Sequence, residues 1–164
     1  MDEFTLFPVI KAALEARKWA GDSGNDLVFP SGSVTITNKD PEAIIQWGAS
    51  RTPFAAIVGS RSDADPEEPT FGRIDYYVII GTSPMGPDPT GEISVMGGHK
   101  VSGVGSSDGK GIYDLHEDIK SLLKLLTRDD GVTIVSRWRT SYDIADVPTS
   151  NPVVVRQMLF SSEF

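Results

Sequence analysis

The segment Gly72-Arg73-Ile74-Asp75-Tyr76-Tyr77-Val78-Ile79-Ile80-Gly81 constrains this chain more than any other. Aromatic and β-branched residues dominate it, as on pleated backbone. Ile74, Tyr76, Val78 and Ile80 fall on one face; Asp75, Tyr77 and Ile79 fall on the other. Toward the C-terminal end both faces are apolar, which predicts a strand in the middle of a sheet. A central strand needs a neighbour on each edge and cover for its apolar faces.

Candidate neighbours are present. Phe54 to Val58 reads as a buried strand ended by Gly59, and Val132 to Ser141 and Val153 to Ser162 read as two more. Leu27 to Phe29 and Val34 to Thr37 are short extended pieces around the turn Pro30-Ser31-Gly32. Helices supply the cover. Ile112 to Thr127 places Ile112, Leu115, Ile119, Leu122, Leu123 and Leu126 on one stripe. Asp114, Glu117, Asp118, Lys120 and Lys124 fall on the wet side, with acids early and lysines late, as the helix dipole favours. A second helix is expected over Phe7 to Lys18, with Pro8 at its first position. A third starts at Asp40-Pro41-Glu42 and stops at Gly48.

Strands arrive in adjacent pairs rather than alternating singly with helices. The expected class is α+β: a mixed or antiparallel sheet of about four to six strands, with helices packed on one face. A length of 164 residues suits one domain with a real core, so residues 1–164 are read as a single domain. The 16 glycines and 11 prolines cluster in loops. Residues 82–111 hold eight of those glycines and three of the prolines, a long loop with a weak hairpin signal at Ile93 to Val101. Ser60 to Thr70 reads as an acidic surface loop.

There are no cysteines, which excludes disulfides, a thiol nucleophile and thiolate zinc. Ser102 to Gly111 suggests a phosphate loop, but Val104 stands where the motif needs glycine, and Gly111 follows Lys110 where it needs Ser or Thr. His116-Glu117 is half of a zinc-protease helix; the second histidine would stand at Lys120. His116 is therefore read as a solvated helix-face residue. Asp63, Asp65, Glu67 and Glu68 fail calcium-loop spacing, with Glu68 in the glycine place and Ile74 in the closing-glutamate place. Ser141, His116 and Asp143 are triad residue types without a nucleophile-elbow motif. Trp19, Trp47 and Trp138 are expected in the core or at its edge, with Trp138 facing opposite Arg137 and Arg139. No catalytic, cofactor-binding or metal residue is assigned, and the chain is not expected to be an enzyme.

A net charge of −8 opposes sequence-specific nucleic-acid binding, which needs cations for phosphates. It suits an acidic surface past which DNA slides without sticking. No apolar run is long enough to cross a membrane, and Met1-Asp2-Glu3 is unlike a signal peptide.

The whole layout carries a resemblance. An N-terminal helix leads to Pro-rich strand pieces, the central strand Gly72 to Ile80 and a long loop. Gly111-Ile112-Tyr113-Asp114-Leu115 through Leu126, then Gly131-Val132-Thr133-Ile134 and Val153 to Phe160, complete it. The order resembles the tail terminator, or tail completion and neck, proteins of tailed bacteriophages. The resemblance implies a subunit of a homo-oligomeric ring, usually a hexamer. The ring would cap the tail tube, stop its polymerisation and join the head–tail connector, with DNA passing through its lumen. It implies a place in the virion tail or neck, and in host cytoplasm during assembly. The alternatives are another head–tail adaptor or minor tail protein, or a small enzyme or nucleotide-binding protein using the 102–111 loop. No cofactor is implied, and no binding residue is transferred.

Overall fold

A computed structural model describes residues 2–18, 27–64, 67, 72–83, 88, 90–97, 111–145 and 147–164. The elements run α1 (Glu3–Ala16), β1 (Val34–Ile36), α2 (Pro41–Gly48), β2 (Phe54–Ala64), β3 (Gly72–Thr82), α3 (Glu92–Met96), α4 (Ile112–Lys124), β4 (Leu126–Thr127), β5 (Thr133–Ile134), β6 (Ser136–Ile144) and β7 (Val154–Glu163). Five strands form a mixed sheet in the order β1-β2-β3-β7-β6, and β4 and β5 form a small hairpin. The α+β class is as expected, and β3 is the central strand. It pairs antiparallel with β2 and with β7 along its whole length. The one parallel pair is β1 with β2, joined through α2 as a βαβ unit.

The alternation along β3 sorts the core into two layers. Ile74, Tyr76, Val78 and Ile80 join Met158 and Phe160 of β7 beneath α1 and α4. Ile79, Phe54, Ala56 and Val155 point the other way and meet Ile44 and Ile45 of α2. The helices expected on one face are thus α1 and α4, while α2 covers one end of the opposite face. The cause is composition: β2 begins Phe54-Ala55-Ala56-Ile57, all fully buried, and so needs cover on both sides. Glycines make room for Phe54. A Cβ on Gly48 or Gly81 would lie 2.4 or 2.2 Å from its ring.

Several boundaries differ from expectation. Gly59 does not end β2; a bulge between Gly59 and Arg61 absorbs it, and pairing continues to Ala64. The strand therefore takes in Asp63, expected in a loop, which pairs with Arg61 at 2.7 Å. The first helix begins at Glu3, because Asp2 caps it by accepting from the Thr5 amide at 2.9 Å. Pro8 consequently lies inside the helix, where its missing N–H forgoes a bond to the carbonyl of exposed Phe4. The expected strand Val132 to Ser141 is split at Val135 into β5 and β6. Of the stretch Ile93 to Val101, expected as a hairpin, residues 93–96 belong to α3 and residues 98–101 lie outside the described residues. Asp88 caps that helix, accepting from the Ile93 and Ser94 amides at 3.1 and 2.8 Å. At the start of α4, a Cβ on Gly111 would lie 2.4 Å from the Val95 carbonyl oxygen, so only glycine fits against the end of α3.

Helix α2 matches its sequence signals: Asp40 accepts from the Ala43 amide at 2.8 Å, Pro41 opens the helix and Gly48 closes it. In α4 the apolar stripe is buried as expected, with Leu122 half-buried at its margin. Asp118 is a correction. Placed on the wet side by sequence, it is buried and takes a forked ion pair from Arg17, with bonds of 2.9 to 3.2 Å. The charge just beyond α1 explains it, since Arg17 reaches across to tie the two helices together.

Candidate functional site

Strand β6 is one edge of the sheet, and its side chains are held from two directions. Tracing the pairing, Trp138, Ser141 and Asp143 share the face of Phe160, Met158 and Arg156, toward α4. A bulge between Trp138 and Thr140 shifts the register, so Trp138 and Ser141 share a face although an even alternation would separate them.

His116 of α4 meets this face. Its Nε2 lies 2.8 Å from Ser141 Oγ, and the Trp138 indole N–H donates to the same oxygen at 2.7 Å. The imidazole also sits edge-on to the Trp138 ring, with centroids 5.5 Å apart. Lys120 lies over that ring at 4.6 Å. Burial, then the nearby Arg156 charge, holds His116 below its ordinary value, against the opposing pull of Glu117. A neutral imidazole accepting the Ser141 proton at Nε2 satisfies all three groups. The expectation of a solvated His116 is therefore corrected: the helix turn that exposes Glu117 buries its neighbour against the edge strand.

Two of the three triad residue types noted in the sequence are thus adjacent, and the third is elsewhere. Asp143 is engaged by Arg156 at 2.8 Å, and Arg156 also lies over the Tyr113 ring at 4.7 Å. The carboxylate nearest His116 Nδ1 is exposed Glu117, at 3.4 Å. Ser141 Oγ already accepts from the indole while donating to the imidazole. These contacts fasten β6 to α4. Two more secure its start: the Tyr76 hydroxyl bonds Ser136 Oγ at 2.6 Å, and Ser162 Oγ donates to the Val135 carbonyl at 3.1 Å.

Among the described residues, no helix covers the opposite face of the same strands beyond the reach of α2. There Ser161 Oγ donates to Asp75 at 2.5 Å and accepts from Arg73 and Arg139, each at 3.2 Å. Arg73 also pairs with Asp75 at 2.7 Å. Burial pushes the Asp75 carboxyl up, but the bonds from Arg73 and Ser161 and the adjacent cations outweigh it, and the net direction is down.

Apolar exposure is uneven. Of ten exposed large apolar side chains among the described residues, five lie between positions 125 and 142: Leu125, Val132, Val135, Trp138 and Tyr142. Leu125 is 62% exposed and Tyr142 50%. Trp138, expected in the core or at its edge, is 38% exposed, while Trp47 is half-buried and edge-on to Phe54 at 6.1 Å. Trp19 lies outside the described residues. A groove of about 550 Å³ separates Pro8, Val9, Ala12 and Ala13 of α1 from the turn at Arg128 to Asp130.

The remaining sequence candidates are dispersed. Ser102 to Lys110, His99, Asp65 and Glu68 lie outside the described residues. The α4 N-terminus, which follows the 102–111 loop of the nucleotide-binding alternative, has its Gly111 amide donating to Asp114 at 3.0 Å. Among the described residues, no three His, Asp or Glu side chains converge as a metal site, and no helix is long and apolar enough to cross a membrane. Sequence reading missed the His116–Ser141–Trp138 contact; its signal was a histidine one position from the apolar Leu115 on α4. Compared with protein-family models and with curated proteins, the chain matches none.

Proposed function

We propose that this chain is a structural assembly protein of a tailed-bacteriophage particle, a tail terminator that works as a ring of identical subunits. In this reading the ring caps the tail tube, ends its polymerisation and presents a surface to the head–tail connector, while DNA passes through the lumen. One observation carries the contact-making part: among the described residues, half of the exposed large apolar side chains fall between Leu125 and Tyr142, on and beside the β6 edge of the sheet. Concentrated apolar exposure at a firmly held edge is a hallmark of protein–protein surfaces. The acidic net charge suits a lumen that must not retain DNA. The order of helices and strands, which resembles that family, supplies the particular assembly.

The test is addition of purified protein to polymerising tail tubes. The reading expects density on one end of each tube and no further elongation from that end. Tubes that keep growing, with no protein on their ends at any concentration, would overturn it.

A further inference from the structure

The sheet has two edges, β1 and β6, and they differ in charge. On β6, Arg137 and Arg139 are exposed, and Asp143 is occupied by Arg156. Arg139 also approaches its own Glu163 at 4.0 Å. Just past the C-terminal end of β1 stand exposed Lys39, Asp40 and Glu42, one cation against two anions. Like charges at 137 and 139 oppose pairing of β6 with a second β6; an acidic edge is a compatible partner.

The strand directions also match. Strand β1 runs with β2, while β6 runs against β7, which runs with β2. Set beside each other in a continued sheet, β6 of one copy and β1 of the next are antiparallel. Levels follow from the register. Thr35 is level with Ala56, Ala56 with Ile79, Ile79 with Gln157, and Gln157 with Tyr142. At zero stagger Thr35 therefore meets Tyr142 on the face opposite α4. The Arg137 end of β6 then lies at the Asp40 end of β1. Pairing of β1 extends beyond its three residues, since Ser33 accepts from Ala55 and Thr37 donates to Ile57.

We propose that neighbouring subunits join by strand addition, β6 of one copy antiparallel to β1 of the next, with Arg137 and Arg139 facing Asp40 and Glu42. The contact is head-to-tail, the type that closes into a ring rather than stopping at a dimer. The contacts from His116, Tyr76 and Ser162 hold β6 as a preformed template, which lowers the ordering cost of association. The inference rests on the ring reading above and assigns its subunit contact.

The absence of native cysteine makes the test direct. In Thr35→Cys/Tyr142→Cys protein, mild oxidation is expected to give a ladder of covalent oligomers ending at a closed species. Either single variant is expected to stay uncrosslinked. Dimers from Tyr142→Cys alone would mean that β6 pairs with itself and would overturn the proposal. Rings without a ladder would overturn this contact and leave the ring reading standing. Monomer throughout, with or without tubes, would overturn both. A charge exchange checks the contact without cysteines. Arg137→Glu/Arg139→Glu protein is expected to lose the oligomer, and mixing it with Glu42→Arg protein is expected to restore oligomers in which the two variants alternate. Full assembly of the arginine variant would again contradict the contact.

Discussion

The two faces of strands β3, β7 and β6 share one backbone and differ in nearly everything else. Toward α4, Tyr76 stacks on Phe160 at 5.6 Å, and Ile74, Val78 and Met158 are fully buried. Each polar group there has a specific partner: Tyr76 with Ser136, His116 with Ser141, Arg17 with Asp118. On the other face, exposed Arg73, Arg139 and Glu163 rim a polar network centred on buried Ser161 and largely buried Asp75. Dispersion and apolar burial act on the first face, while solvent screens the charges of the second. Apolar burial is therefore heavier toward α4; the other face keeps the smaller α2 layer around Ile79 and Val155 and, with the β6 edge, presents exposed Arg73, Arg137 and Arg139 for contacts outside the subunit.

Substitutions on the two faces should diverge. The largest effect is expected from Phe160→Ala, which removes a fully buried ring and should cost about 3–5 kcal/mol in a denaturant titration. Its neighbour Leu159 points to the other face and is only half-buried, so Leu159→Ala should cost clearly less. Equal losses would erase the distinction between the faces. Next comes Asp118→Ala, which leaves Arg17 without its partner. With Asp118 buried and Arg17 partly solvated, about 2 kcal/mol is expected. A double-mutant cycle with Arg17→Ala should show coupling, and strict additivity would reject the pair as a stabilising contact.

Acidification should separate the faces in order. His116 has a folded pKa below its ordinary 6.5, so the unfolded chain binds the proton first. Its contribution is fully present above pH 6.5 and is lost as pH falls through the folded value. Asp75 is likewise depressed, but from 3.8, so its contribution is lost only in stronger acid. The melting temperature of the parent should decline just below pH 6.5, and that of His116→Gln should stay flatter there. Parallel curves would remove His116 as the cause. The smallest stability effect belongs to Arg137→Ala at the β6 edge, within about half a kcal/mol, even though assembly should weaken.

The central strand was legible because its alternation admits no helical reading, and α2 because Asp40, Pro41 and Gly48 occupy the positions that cap, start and stop a helix. What stayed hidden depends on distant partners. Gly59 ends a strand by local preference, yet a bulge lets it continue opposite Tyr76. Asp118 looks solvated until Arg17 arrives from a residue 101 positions away. His116 and Ser141 were visible as residue types, but their contact requires the bulge in β6, which local alternation does not encode. The edge position of β6 follows from the order of five strands and could not be read from its own residues.

Association of identical copies is the claim on which the functional account turns, and native mass measurement across a concentration series reads it most directly. The account predicts a closed multi-subunit species that disappears in Arg137→Glu protein while the melting temperature holds. A monomer at every concentration, with or without tail tubes, would contradict it.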